Sequence, residues 1–389
     1  MRRSASRRRG AQIRIGLYLA DLSHRRTNSH GIVNYALGLA AALLWSLRGD
    51  ESLVLFVNNE VLEDLCAFAG SALLELATQI HVLQAPRNHL ERLWMDHATS
   101  LLRAVGDDLD VVHFPKGFIP LVNPTGARIV ATVHDDIPCR YVERTWGCTP
   151  ISRQTRYFAW AVRHAVQHAD HLLTVSEFSR ACLEMRQDRA RQSPPISVIY
   201  QGVTLPARAF VPVTKRDPYI LHLGSPFPHK RSLWGISTVL RHLDETGMQL
   251  RLRILGDLDD EAERLAAHPR VDWVRNSLSN DDIAMEMAHA RALIFPSEYE
   301  GFGLPPLEAL CLGTPAVYAR IPATVEVLRG TPGGYNPGDE QSFREAFDEA
   351  LRSSDEDLQR LQSRLRGRYS WEQAGQRTLD VYRSLVGRN

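Results

Sequence analysis

The sequence predicts an α/β fold built as two Rossmann-like domains facing each other across a cleft. Three observations carry this. Short apolar runs of strand length alternate with longer amphipathic stretches through both halves of the 389 residues, the pattern of parallel sheets covered by helices. The alternation stops once, over the proline-bearing stretch Leu205–Pro218, and then restarts. A chain of this length suggests two or three domains.

In the first half the strand candidates are Ile13–Leu19, Leu53–Val57, Ile80–Leu83, Val111–Phe114, Ile129–His134, Leu172–Val175 and Val198–Tyr200. Between them lie amphipathic stretches such as Ile32–Leu47, Leu90–Val105, Arg153–His168 and Glu177–Gln187. After the break come Tyr219–Leu223, Leu250–Leu255, Val271–Val274, Ala292–Phe295 and Ala316–Tyr318, again interleaved with helical patterns. Three helical segments close the chain: Glu340–Arg352, Asp355–Arg368 and Trp371–Val386. The predicted organisation is a disordered basic tail over 1–12, an N-terminal domain over 13–205, a linker over 206–218 and a C-terminal domain over 219–370. Ligands of such sheets bind beyond the carboxyl ends of the strands, so each strand-to-loop junction is a place to look.

Composition narrows the function. Hydrophobic residues are 44% and charged residues 23%, a globular mix. No apolar run approaches the ~18 to 20 residues that span a bilayer, and the longest, Tyr35–Leu47, reads as a buried helix. The basic start MRRSASRRRG is not followed by a signal-peptide pattern, so a cytoplasmic protein is expected. A net charge of +1 makes no electrostatic case for nucleic acid. The five cysteines are odd in number and contain no C-x-x-C pair, which favours reduced thiols over a disulfide framework or a zinc site. Lysine occurs only at 116, 215 and 230; in so arginine-rich a chain, a lysine suggests a place that needs a compact ammonium.

Two segments carry the chemistry. In the first, the strand ending at Phe295 runs into Pro296-Ser297-Glu298-Tyr299-Glu300-Gly301-Phe302-Gly303 and then a helix over about Leu304–Leu312. Gly301 and Gly303 allow close backbone approach, and Pro305 and Pro306 suit a helix's first turn. The amides and the positive helix end then point at one spot, a seat for a diphosphate. Glu308, expected in the first helical turn, can accept from ribose hydroxyls, and Glu300 at the loop's edge can reach a sugar. In the second segment, the strand Tyr219–Leu223 runs through Gly224-Ser225-Pro226-Phe227-Pro228 into His229-Lys230-Arg231. Lys230 is expected near a helix N-terminus, placed to neutralise a leaving diphosphate.

Glu300 and Glu308, with seven residues between them in EGFGLPPLEAL, resemble the E-x7-E motif of the retaining glycosyltransferases of family 4. The second segment is similar to that family's strand-Gly-…-Pro-His-Lys-Asn stretch, with Arg231 in place of Asn. His30-Gly31-Ile32-Val33-Asn34-Tyr35 resembles its G-I-G-R-Y loop, with close approach retained at Gly31. His134-Asp135-Asp136-Ile137-Pro138 resembles its H-D-x-x-P element, and Val175-Ser176-Glu177-Phe178-Ser179 its V-S-x-F-S element, where Ser176 also suits a helix N-cap. Tyr200-Gln201-Gly202-Val203 resembles its hinge entry, and Tyr369-Ser370-Trp371-Glu372 its closing helix.

The resemblance implies a GT-B fold in which residues 371–389 cross back onto the N-terminal domain. It also implies hexose transfer from a nucleotide-sugar, a UDP- or GDP-sugar, to a hydroxyl acceptor of a polysaccharide, glycolipid or small molecule. Transfer would retain anomeric configuration without a covalent intermediate. Lys230 and the amides of Phe302, Gly303 and Leu304 would hold the diphosphate, with Ser225, His229 and Gly31 also on the donor side. Glu308 would take the ribose, Glu300 the hexose, and His134 the sugar or acceptor. No cofactor and no metal are expected: Asp257-Leu258-Asp259 has metal-binding D-x-D spacing but reads as the acidic start of a helix. A nucleotide-sugar 2-epimerase and a non-catalytic scaffold on the same fold are the alternatives. Acceptor choice is expected in Asp21–Ser29 and Cys139–Arg156. The stretch Asn88–Arg103 has apolar residues with basic margins; packing on the N-terminal sheet is the expected use, a weak membrane-surface contact the other.

Overall fold

The computed structural model describes residues 12–23, 30–84, 109–123, 125–147, 151–188, 192–206, 210–275 and 278–387. The basic tail, most of the Asp21–Ser29 loop and the Asn88–Arg103 stretch therefore lie outside the described residues. Two compact units emerge, one of residues 1–143, 150–202 and 370–389, the other of 144–149 and 203–369. The described residues 144–147, expected with the N-terminal domain, group with the second unit.

The first unit holds seven strands, β1 (Ile13–Tyr18), β2 (Glu51–Asn58), β3 (Gln79–Leu83), β4 (Val111–Phe114), β5 (Arg128–Thr132), β6 (His171–Thr174) and β7 (Ile196–Val198). They pair all-parallel in the order β3-β2-β1-β4-β5-β6-β7. Ile15 is flanked by Leu53 on one side and Val111 on the other. Its helices are α1 (His30–Ser46), α2 (Asn59–Ala69), α3 (Ser71–Leu74), α4 (Ile137–Val142), α5 (Arg153–His168) and α6 (Glu177–Glu184). Strands buried on both faces explain the unbroken apolar runs such as Leu53–Val57. Ser176 caps α6, its hydroxyl accepting from the Ser179 amide at 2.9 Å.

The second unit holds six strands, β8 (Tyr219–Leu223), β9 (Arg251–Leu255), β10 (Val271–Val274), β11 (Ala292–Phe295), β12 (Ala316–Ala319) and β13 (Gly334–Tyr335). These are also all parallel, in the order β10-β9-β8-β11-β12-β13. Its helices are α7 (Ser232–Thr246), α8 (Asp260–Ala266), α9 (Asn280–His289), α10 (Leu304–Cys311), α11 (Pro322–Val327), α12 (Glu340–Leu351) and α13 (Asp355–Arg368). The predicted linker is not a free tether. Its Arg216 is buried, and the guanidinium donates to the carbonyls of Val211 at 3.0 Å and Gly313 at 2.6 Å.

The last helix, α14 (Trp371–Leu385), belongs to the first unit and lies along α1. Its Trp371 ring fills a slot lined by Gly38 and Gly202, where a Cβ on either glycine would overlap the ring. Contact on this side explains why α1 is buried around nearly its whole circumference. A buried polar chain fastens α14 from inside. Tyr382 hydroxyl meets His113 Nδ1 at 2.6 Å, His113 Nε2 meets Thr132 Oγ1 at 2.8 Å, and Thr132 Oγ1 meets the Tyr35 hydroxyl at 3.1 Å. Burial pulls the His113 imidazole down to about 3, so the chain is neutral and each hydroxyl is satisfied.

Candidate active site

The chain order of the second sheet reverses between β8 and β11, which are neighbours while their successors lie on opposite sides. Two loops leaving such a pair diverge and open a crevice at their carboxyl ends. Here those loops are residues 224–231 and 296–303, the two segments singled out from the sequence.

After β8 the chain turns on Ser232. Its hydroxyl donates to the Ser225 carbonyl at 2.9 Å, accepts from the Ser225 amide at 3.1 Å and lies 3.1 Å from His222 Nε2. The Ser225 hydroxyl is used locally, accepting from the Phe227 amide at 3.3 Å. A 3-10 turn over Pro228–Lys230 follows, and Arg231 adopts a left-handed backbone at φ 54 and ψ 34 before α7 begins. Lys230 thus precedes the α7 N-terminus by two residues. Asn and Gly tolerate this conformation far better than Arg, which gives a physical reason for the Asn that the related motif carries here.

The second loop is stitched to this turn. The Glu298 amide donates to the His229 carbonyl at 2.8 Å. Lys230 Nζ meets Glu300 Oε1 at 2.6 Å, and Arg231 Nε lies 3.5 Å from Glu298 Oε2. Glu300 is buried to 8% exposure. The sequence assigns Lys230 to a diphosphate and Glu300 to a sugar as separate duties; the structure joins them as an ion pair. Buried His229 sits beside it, and burial reinforced by the Lys230 charge pulls its imidazole down to about 4. His229 is therefore neutral at pH 7.

Gly303 opens α10 at φ 90, a region closed to side chains, and a Cβ there would also press on Thr324 at 3.1 Å. Pro305 and Pro306 carry no N–H, so the amides of this helix start narrow to Gly303 and Leu304. The Phe302 side chain is buried edge-on against Tyr369. At the other end of α10 the Cys311 carbonyl accepts from Gln362 at 2.9 Å and Arg366 at 2.8 Å, which suits the negative helix end. Glu308 is the fifth residue of α10, which begins at Leu304 as expected, and so lies just past the first turn in which the sequence suggests it. It is half-buried, its carboxyl makes no hydrogen bond or ion pair with the described residues, and burial pushes that carboxyl up to about 7.

The remaining predicted residues belong to the first unit. His134 follows β5 with its Nε2 2.9 Å from the Pro115 carbonyl and its ring edge-on to Tyr35 at 4.5 Å. A carbonyl can only accept, so Nε2 carries the proton and Nδ1 the lone pair. Burial pulls this imidazole down to about 4. Asp136 in the same element is structural, paired with Arg140 at 3.0 Å and Arg186 at 2.7 Å. Gly31 lies in the first turn of α1 rather than in a loop, exposed, with nothing near its Cβ position.

Asp259 is an N-cap, accepting from the Glu261 and Ala262 amides at 3.1 and 2.9 Å. That accounts for the D-x-D run without a metal. Among the described residues no group of three His, Cys, Asp or Glu is placed to hold one, and no helix is long and apolar enough to cross a membrane.

Two parallel doubly wound sheets, with an acid-and-base loop pair at the switch point of the second, define a glycosyltransferase of GT-B type. Residues 30–205 match the family model Glycosyltransferase Family 4 and residues 217–353 that of Glycosyl transferases group 1, and together the two matches mark a glycosyltransferase of the family 4 type. It is 28% identical over 228 residues to O-antigen chain mannosyltransferase RfbU of Salmonella typhimurium, spanning 56% of this chain and 59% of that one. It is 29% identical over 312 residues to the MMP alpha-(1->4)-mannosyltransferase of Mycolicibacterium hassiacum, spanning 75% and 74%. Among solved structures, Anabaena HepE in complex with UDP and glucose aligns with TM-score 0.63 and 16% identity over 96% of this chain and 100% of that one. Sucrose-phosphate synthase from Thermosynechococcus elongatus aligns with TM-score 0.65 and 16% identity over 96% and 99%. At these identities the two structures speak for the fold.

Proposed function

We propose that the chain is a retaining, metal-independent hexosyltransferase that moves mannose from a nucleoside diphosphate donor to a hydroxyl of a saccharide acceptor. The observation that carries it is the Lys230–Glu300 pair at the switch point of the second sheet, beside the Gly303 and Leu304 amides. Mannose and a saccharide acceptor are favoured because several relatives matched over half or more of the chain are mannosyltransferases, two of them named for the O-antigen chain. GDP and UDP are the candidate carriers.

In this reading the donor's diphosphate takes Glu300's place as partner of Lys230, and the freed Glu300 carboxylate accepts from hexose hydroxyls. The amides of Gly303 and Leu304 bind the same diphosphate, and Glu308 accepts from the ribose. As the bond from C1 to the diphosphate oxygen breaks, Lys230 and the amides stabilise the charge growing on that oxygen. The acceptor oxygen bonds to C1 on the same face and its proton passes to the departing diphosphate. No protein base is needed, and burial leaves the imidazoles of His229 and His134 poor proton acceptors. His134, with Nδ1 able to accept, is proposed to orient a sugar or acceptor hydroxyl.

Thermal-shift titration with GDP-mannose, UDP-glucose, ADP-glucose and dTDP-glucose tests the donor class, since ligands of the native state raise its stability by mass action. The expected result is a shift with a GDP- or UDP-sugar, followed by mannose incorporation into a mannose-terminated oligosaccharide. Conversion of the donor alone into a new sugar nucleotide would instead indicate an epimerase.

A further inference from the structure

The segment 144–149 enters the second unit from far upstream in sequence. Within it Arg144 adopts a left-handed backbone at φ 60, Gly147 is at φ 95, and the Gly147 amide donates to the Arg144 carbonyl at 3.3 Å. A non-glycine residue at positive φ is costly and persists where surrounding structure demands it. Here the two left-handed residues bracket Trp146.

Half-buried Trp146 touches two rings. His229 lies 5.2 Å away, centroid to centroid, at 40°, and Tyr299 lies 5.8 Å away at 66°. His229 directly precedes Lys230, and Tyr299 directly precedes Glu300. The indole therefore bears on the neighbours of both ion-pair members at once. The Phe227 ring backs His229 from 5.9 Å, nearly parallel to it. Lys230 itself is 30% exposed, so its ammonium is positioned by what holds the turn below it.

We propose that Trp146 is a positioning residue for the transfer reaction, acting through His229 and Tyr299 to hold Lys230 and Glu300 at their working separation. This rests on the proposed hexosyl transfer. The indole need not touch the donor. Its role is to keep the 228–230 turn and the 298–300 loop from sliding apart when the diphosphate displaces Glu300 from Lys230. An aromatic contact is suited to this because it adds no charge beside Lys230, and neutral His229 presents a ring face to it.

The test uses the full chain and two variants, Trp146→Ala and Trp146→Phe. Turnover is read as nucleoside diphosphate released from GDP-mannose or UDP-glucose, and affinity by calorimetric titration with GDP or UDP. Misplacing a reacting group by a fraction of an ångström to an ångström costs on the order of 10- to 100-fold in rate, so kcat should fall by about that factor in Trp146→Ala. Donor KM and nucleotide affinity should change far less, and Trp146→Phe should recover most of the loss. In parallel, an NMR titration should show the His229 imidazole, which burial holds at about 4, moving up towards its ordinary range in Trp146→Ala. A Trp146→Ala enzyme with wild-type kcat, or an unmoved His229 titration, would overturn the inference. A wild-type chain that neither binds nor turns over any donor would sink the transferase reading instead, and the His229 titration would still decide whether Trp146 holds the turn.

Discussion

Lys230 Nζ and Glu300 Oε1 lie 2.6 Å apart although seventy residues separate them in sequence. They leave the ends of adjacent strands, β8 and β11, and close the gap between two diverging loops. Removing one member of a buried pair strands the other, whereas replacing both is far cheaper. Lys230→Met should therefore lower stability measurably, and Lys230→Met combined with Glu300→Gln should recover most of it. Neither variant should recover turnover, with a loss on the order of 100-fold or more for want of a charge on the leaving diphosphate. Melting temperatures and donor turnover of the three proteins check this; equal turnover in wild type and Lys230→Met would remove Lys230 from the reaction.

In the proposed reading Glu308 ties donor binding to pH. Burial raises its carboxyl to about 7 in the folded chain, above the ordinary carboxylate value of the unfolded one. Its contribution to stability is thus fully present below about pH 4 and is lost as pH rises through 7. Ionisation at pH 8 consequently costs the unliganded protein on the order of 1 to 3 kcal/mol. Glu308→Gln should raise the melting temperature of the unliganded protein at pH 8 and change it little near pH 5. A variant less stable than wild type at pH 8 would show that the carboxylate is satisfied in the folded state.

Arg231 poses two opposed terms. Its left-handed backbone costs about 1 to 2 kcal/mol. Its pairing with Glu298, at 3.5 Å and with the guanidinium 45% exposed, returns at most about 1 kcal/mol. The backbone term is the larger, so Arg231→Asn should raise the melting temperature by a few degrees. A fall would mean that the pair outweighs the backbone strain.

In the first unit, Tyr382→Phe removes the hydroxyl facing buried His113 Nδ1. A buried polar atom left without a partner costs about 1 to 3 kcal/mol. Denaturant unfolding should show that loss in the midpoint. An unchanged midpoint would mean that the polar chain under α14 does not contribute to fastening it.

In the proposed reading the donor charge is met by Lys230 and backbone amides, and Asp259 is occupied as a helix cap, so turnover should survive EDTA. Full loss on chelation, restored by Mg²⁺ or Mn²⁺, would contradict this.

Much of the architecture was legible because strands buried on both faces leave unmistakable apolar runs, and most predicted strands lie within two residues of the observed ones. The order of strands in each sheet was not, since register between distant runs is set by tertiary packing. At the site, the glycine and proline punctuation of 301–306 marked the α10 start at Leu304, but Glu308, the fifth helical residue, falls just past the first turn in which it was expected. Gly31 read as a loop residue from the resemblance to the G-I-G-R-Y loop, yet α1 already includes it. The Lys230–Glu300 pairing, the His113 chain and the Trp146 contact join residues dozens to hundreds apart, and no local pattern announces such meetings. The left-handed Arg231 did leave a signal, an Arg where the related motif has Asn.

The most direct test of the central claim is calorimetric titration of the full chain with GDP and with UDP at pH 8, repeated on Glu308→Gln and Lys230→Ala. A hydrogen bond to a charged group is worth roughly 1.5 to 3 kcal/mol, so one of the two nucleotides should bind wild type and lose on the order of 10- to 100-fold in affinity in Glu308→Gln. Lys230→Ala should also weaken it through the lost diphosphate contact. Failure of both nucleotides to bind the wild-type chain, or equal affinity in all three proteins, would contradict a donor site in the second unit.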